Sequence, residues 1–101
     1  MNFYNITCVV ENPEVERWLQ WIKNEGIPNA LKNSNFTNAR IFRVWVTDSE
    51  HTTFSVQFRA KNREDIARFH QHTELIFRQE CHAIFKDSVL MFSTEIEEIN
   101  P

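Results

Sequence analysis

The 101-residue chain contains one glycine, three prolines and two cysteines, and these low counts limit the classes of protein to which it can belong. Two cysteines are too few for the disulfide framework of a small secreted domain, so we expect Cys8 and Cys81 to be free thiols. The eleven Lys and Arg residues are spread singly and the formal net charge is −3, so we expect no nucleic-acid partner. No apolar run has membrane-spanning length, and the first residues lack a basic, cleavable leader. We therefore expect a cytoplasmic protein with no membrane partner.

The composition that remains is typical of one globular domain. Hydrophobic residues make up 42% of the chain and charged residues 25%, and nine Phe and three Trp supply large packing units. A chain of this length can bury one hydrophobic core. We therefore interpret residues 1–101 as a single domain.

The clearest helix lies between Asn12 and Gly26. Asn12 is a favourable N-cap, and Gly26 is placed where a helix often ends on a left-handed residue. The apolar residues at helical spacing are Val15, Trp18, Leu19 and Ile22. We predict that this stripe faces the core with Trp18 deeply buried. Because Pro28 disfavours helical backbone at the residue before it, we predict a separate short turn over residues 28–32.

A second helical region covers residues 62–85. Asn62 followed by Asp65 resembles a capping box, and Thr73 could cap a second segment after an interruption at residues 72–74. Glu74 and Arg78 form a favourable i,i+4 pair, which we place on the wet side. The predicted buried stripe consists of Ile66, Phe69, Ile76, Phe77, Ile84 and Phe85.

Four segments have the pattern of strands: residues 3–10, 39–47, 52–60 and 88–97. The element order is then β-α-β-β-α-β, which predicts an α+β, ferredoxin-like fold. Such a fold has a four-stranded antiparallel sheet with both helices on one face, so its other face is open. We predict that the open face carries Asn5, Thr7, Val9, Ile41, Arg43, Trp45, Ser55, Gln57, Arg59, Val89 and Met91.

The polar centre of this face is the candidate ligand-binding site. The predicted site residues are Asn5, Thr7, Arg43, Trp45, Ser55, Gln57 and Arg59. Arginine in a half-buried groove can hold a carboxylate or phosphate, and tryptophan can stack on a planar molecule. A small anionic or aromatic ligand is one alternative. The other is a homodimer interface whose polar groups pair across a two-fold axis, with Trp45 near its centre. The two alternatives can coexist.

No other residues form a recognisable reaction centre. His70 and His72 lie on different helix faces, His82 has no neighbouring ligand at zinc spacing, and their role is left open. Nucleophilic catalysis needs a low-pKa thiol beside a base, whereas Cys8 is predicted to fill the core and Cys81 continues an apolar stripe. We therefore predict no metal, no cofactor and no identifiable catalytic residue.

The chain also resembles a small bacterial family of unknown function. The resemblance rests on Tyr4-Asn5-Ile6-Thr7, Trp18 with Trp21, Ile27-Pro28, Leu31, Phe36, Arg43-Val44, Thr52 to Gln57 and Arg78-Gln79-Glu80. It implies a ferredoxin-like fold of the dimeric α/β-barrel type. The chain departs from the family at Gly26, where relatives often carry His, and at Lys86-Asp87, where they tend to carry Gly. Proteins of the broader fold include cofactor-free monooxygenases, haem-binding enzymes and ligand-binding regulators.

Two functions are consistent with the sequence. The first is a homodimeric module that binds a small molecule or acts through its assembly. The second is a cofactor-independent oxygenase or isomerase with a pocket between helices and sheet or between two sheets. The second needs a titratable group inside a pocket. Because Tyr4 is predicted to face the helices and His51 lies on a loop, the sequence favours the first.

Overall fold

The computed structural model describes residues 1–101 as one sheet covered on one face by helices. The strands are β1 (Asn2–Glu11), β2 (Asn38–Val44), β3 (His51–Ala60) and β4 (Val89–Glu97). They are arranged in the order β2-β3-β1-β4, and every neighbouring pair is antiparallel. Each helical connection therefore crosses one intervening strand, which is the split β-α-β arrangement. The predicted α+β class and β-α-β-β-α-β order are confirmed.

The first helical region is one continuous run. A 3-10 turn (Asn12–Glu14) leads into α1 (Val15–Trp21), a π-helical segment (Ile22–Gly26) and α2 (Ile27–Lys32). Asn12 does not cap the helix. Its side-chain nitrogen donates to the Ser49 carbonyl at 3.0 Å, and its oxygen accepts from Thr52 at 2.8 Å. The asparagine side chain therefore ties the helix start to the start of β3.

The prediction that the helix ends at Gly26 was wrong. Gly26 has right-handed helical angles (φ −58°, ψ −57°), and the run continues through Pro28 to Lys32. The wide π turn directly before Pro28 opens the regular hydrogen-bond ladder that proline would otherwise disrupt. Glycine is needed for a different reason: a Cβ atom at this position would lie 2.9 Å from the Trp21 ring.

The second helical region is also continuous and also contains a π-helical segment. It consists of α3 (Arg63–Arg68), the π segment Phe69–Thr73 and α4 (Glu74–Phe85), followed by a 3-10 turn (Lys86–Ser88). The Asn62 side chain accepts from the Asp65 amide at 3.0 Å, as predicted for the cap. Thr73 caps nothing, because its hydroxyl donates to the Asn33 carbonyl at 2.8 Å.

The core lies between the helices and one face of the sheet. Trp18 is fully buried, as predicted, and its ring stacks on Phe54 with 5.0 Å between centroids. Trp21 packs against Phe77 and Phe85. Ile76 and Ile84 were predicted to be buried but are exposed on the outer side of α4. None of the helices combines the length and the apolar character that crossing a membrane requires.

Side-chain alternation in β1 and β3 follows the prediction, but β2 and β4 are shifted by one residue. Ile41 is paired with Val56 and Met91 with Cys8, so both lie on the helix-covered face. Phe42 and Phe92, which the predicted alternation placed opposite to Ile41 and Met91, are paired with Ser55 and Thr7 and lie on the open face. A one-residue shift in register exchanges the two faces of a strand. Both faces of β2 and β4 carry apolar residues, so the sequence pattern alone did not determine which side chains face the helices.

Candidate functional site

The open face has a polar middle flanked by exposed apolar side chains. The Ser55 hydroxyl donates to Asn5, whose amide donates to Thr7 at 3.1 Å. Gln57 donates to Ser55 at 3.3 Å. These four predicted site residues therefore lie together on neighbouring strands β1 and β3, as expected, and they bond to one another in a polar seam.

Two predicted members of the site lie elsewhere. Arg43 is paired with Phe54 and so belongs to the helix-facing side of β2, which corrects its predicted place on the open face. Trp45 lies beyond the last residue of β2, and its side chain is 80% exposed. The Arg43 guanidinium stacks on the Trp45 ring, 4.2 Å from its centroid. Trp45 therefore marks the end of the strand rather than the centre of the face.

A different arginine joins Arg59 on the open face. Arg40, which the sequence interpretation passed over, is paired with Gln57, and Arg59 is paired with Phe3. Both arginines line a groove of about 420 Å³ at one end of the polar seam. Its other lining residues are Met1, Phe3, Asn38 and Glu98. Two guanidinium groups make this end of the face the better candidate for an anionic ligand.

The apolar flanks of the open face are formed by the two edge strands. Phe42 and Val44 are 42% and 37% exposed on β2, and Leu90 and Phe92 are 53% and 57% exposed on β4. The apolar patch is defined by these four residues. Large apolar side chains gathered on one face are typical of an interaction surface. The prediction of exposed apolar area on this face therefore holds, with different residues supplying it.

The helix-covered side contains a second polar site, centred on Glu74. The Glu74 residue is only 5% exposed, although the Glu74–Arg78 pair was predicted to face water. The Tyr4 hydroxyl donates to the two carboxylate oxygens at 2.7 and 2.9 Å. His70 Nδ1 lies 2.8 Å from Oε2, and Arg78 Nη2 lies 3.3 Å from Oε1. The Ser93 hydroxyl also donates to Oε1.

We call these five residues, Tyr4, His70, Glu74, Arg78 and Ser93, the Glu74 cluster. Each of the partners comes from β1, the second helical region or β4. Arg78 also donates to the Met91 carbonyl of β4 at 3.0 Å. The cluster therefore joins α4 to the edge strand of the sheet. Its one sequence signal was the position of Glu74 and Arg78 beside the buried stripe of Phe77 and Cys81.

The surroundings shift the acidity of two members of the cluster. Burial raises the pKa of Tyr4 to about 12, and the neighbouring Glu74 charge acts in the same direction. Burial alone would raise the pKa of Glu74, but hydrogen bonds from Ser93 and Tyr4, together with the charge of Arg78, hold it below its ordinary value. At neutral pH the cluster therefore contains an ionised carboxylate and a protonated phenol.

The cysteines and histidines form no second reaction centre. Burial raises the pKa of Cys8 and raises that of Cys81 to about 12, so both thiols are protonated at neutral pH. Both are free and buried. No group of three or more His, Cys, Asp or Glu side chains is placed to hold a metal ion.

The fold and the two polar sites define an α+β protein with one covered and one open sheet face. A comparison with known protein families identifies the family of the chain. The family described as "Domain of unknown function (DUF4286)" matches residues 1–99, and the chain belongs to that family. A search of curated proteins found no match.

Proposed function

We propose that the protein is a homodimeric binding or interaction module in which the open faces of two copies pack together. The observation that carries this proposal is the apolar patch of Phe42, Val44, Leu90 and Phe92 on a face that no helix covers. Leaving such area in water forfeits about 25 cal/mol per Å². A second copy is a suitable occupant because it brings the same patch to a two-fold contact.

The size of the face supports a second copy. Four strands spaced about 4.8 Å apart, with about nine residues rising 3.4 Å each, give a face of about 600 Å². Two such faces bury about 1,200 Å², which is the lower end of the range for stable interfaces. The polar seam fits the centre of such an interface, because Asn5, Thr7, Ser55 and Gln57 already satisfy one another.

We further propose that the dimer encloses a small anionic ligand beside the polar seam. Support comes from the groove of about 420 Å³ that contains Arg40 and Arg59. A planar guanidinium can bind a carboxylate or phosphate through two parallel hydrogen bonds. Glu98 lies on the same groove, so a ligand with both a negative charge and a hydrogen-bond donor fits this lining best.

A charge placed in the apolar patch tests the dimer. Phe92→Glu should give a monomer with unchanged helical content by circular dichroism, since burying an unpaired carboxylate in the interface is costly. Leu75→Glu is the matched control, because Leu75 is 62% exposed on α4, away from the open face. Mass is measured by light scattering at micromolar concentration. A monomeric wild type, or a dimer that survives Phe92→Glu, would contradict the proposal.

A second candidate function is a cofactor-independent oxygenase or isomerase. The Glu74 cluster favours this second function, because the cluster supplies the titratable group that such an enzyme needs. Glu74 itself is enclosed by its four partners, which leaves its carboxylate no room for a substrate. The binding module therefore remains the first candidate, and any chemistry must take place at a more exposed member of the cluster.

A further inference from the structure

His70 is the one member of the Glu74 cluster that faces solvent with most of its surface. Its side chain is 66% exposed, whereas the Glu74 side chain is 7% exposed. The inner ring nitrogen, Nδ1, lies 2.8 Å from Glu74 Oε2 and 3.0 Å from the Tyr4 oxygen. The imidazole therefore points its Nδ1 edge inward and leaves its Nε2 edge on the solvent side.

The hydrogen-bond partners determine which nitrogen carries the proton. The ionised Glu74 carboxylate can only accept, so Nδ1 must donate to it. Tyr4 has one hydroxyl proton, which it gives to Glu74, so its oxygen can also only accept from Nδ1. Both contacts require a proton on Nδ1. In the neutral ring Nε2 is then unprotonated and carries a free lone pair.

Two further features set this histidine apart from an ordinary surface residue. It lies in the π-helical segment Phe69–Thr73, and π segments occur frequently at functional sites. The carboxylate that orients it is also buried, and well-packed apolar groups often replace a buried ion pair without loss of stability. A base held by a carboxylate is the arrangement that activates nucleophiles and water in many enzymes.

We propose that His70 is a general base whose Nε2 accepts a proton from a water molecule or hydroxyl group, with Glu74 and Tyr4 as positioning residues. Hydrolysis of an activated acyl ester is a suitable test reaction, because it needs only such a base and a water molecule. The water oxygen forms a bond to the acyl carbon while its proton passes to Nε2. The ester C–O bond then breaks and the leaving alkoxide departs with the electron pair. The protonated Nε2 gives its proton to that oxygen, which releases the acid and the alcohol and restores the neutral ring.

The first test measures the tautomer directly. Nitrogen NMR of the imidazole rings, recorded as the pH is raised until each ring is neutral, should show an unprotonated Nε2 and a protonated Nδ1 for His70. His72 is the internal control, because it is exposed two residues away in the same segment. A proton on Nε2 of neutral His70 would overturn the proposal.

The second test measures the chemistry with 4-nitrophenyl acetate as the probe. His70→Gln should lower ester hydrolysis to the background of the other three histidines, whereas His72→Gln should remove only its small share of that background. Glu74→Gln should reduce the His70-dependent rate about fivefold, since a hydrogen bond to an ionised partner is roughly twice as strong as a neutral one. If Glu74→Gln does not fold, Tyr4→Phe provides the second positioning variant, with a smaller reduction.

Equal rates for wild type and His70→Gln would refute the base, and a His70-dependent rate that neither positioning variant lowers would refute its orientation by the cluster. The test of His70 does not depend on the proposed homodimer. Tyr4, a member of the Glu74 cluster, points to the helix-covered side of β1, and the apolar patch lies on the opposite face of the sheet. Monomeric variants such as Phe92→Glu should therefore keep the His70-dependent hydrolysis.

Discussion

Replacing Trp18 by alanine tests how the first helical region is held on the sheet. Trp18 is fully buried and stacks on Phe54, with an angle of 26° between the ring planes. Truncating a buried aromatic residue to alanine costs about 3–5 kcal/mol, because apolar contacts are lost and a cavity remains. Total stability for a domain is about 5–15 kcal/mol, so the variant should be close to unfolding.

Urea titration followed by circular dichroism gives the magnitude. For a slope of about 1.5 kcal/mol per M, a loss of about 4 kcal/mol lowers the unfolding midpoint by about 2.7 M. Trp45→Ala is the matched control, because it makes the same chemical change at a side chain that is 80% exposed. In the monomer background of Phe92→Glu, its free energy of unfolding should stay within about 0.5 kcal/mol of the parent.

A milder substitution keeps the test informative if the alanine variant does not fold. The Trp18 indole nitrogen is buried without a hydrogen-bond partner. Trp18→Phe removes this unsatisfied donor, which stabilises the protein by about 1–3 kcal/mol. It also removes part of the ring, which destabilises the protein and partly cancels the gain. We expect a loss of less than about 2 kcal/mol. A loss below about 1 kcal/mol for Trp18→Ala would show that the indole is exposed and that the helix has been placed wrongly.

The strands show what alternation can and cannot determine. In β1 and β3 apolar and polar residues alternate clearly, so the sequence predicts which side chains face the helices. In β2 and β4 adjacent positions such as Leu90 and Met91 are both apolar, and only pairing with the neighbouring strand assigns a face. The predicted place of Arg43 on the open face was wrong for this reason, and Arg40 takes its place beside Gln57.

The Glu74 cluster could not be predicted as a whole because Tyr4 and Ser93 lie far in sequence from His70, Glu74 and Arg78, although these three are spaced four residues apart. Tyr4 reaches His70 and Glu74 across 66 and 70 positions, and no local pattern encodes that contact. Gly26 shows a related limit. A glycine after a helical stripe indicates a left-handed end, but here it provides space for Trp21, which depends on packing and not on the local backbone.

Two further predictions concern Gly26 and Tyr4. Gly26→Ala should lower the free energy of unfolding by about 1–3 kcal/mol, because the new Cβ would lie 2.9 Å from Trp21 and this clash outweighs the higher helix propensity of alanine. The control is Glu25→Ala at an exposed neighbouring position. If urea titration shows that Gly26→Ala is stabilised, the close packing of Trp21 against Gly26 is contradicted. For Tyr4, burial raises the pKa to about 12 in the folded protein, against about 10 for a free tyrosine, so the folded state holds its proton more tightly. The contribution of Tyr4 to stability is therefore complete below pH 10 and is lost as the pH rises towards 12. The urea midpoint of the wild type should fall over this interval more steeply than that of Tyr4→Phe, which has no phenol to ionise. Equal slopes for the two proteins would show that the Tyr4 hydroxyl is not buried against the Glu74 carboxylate.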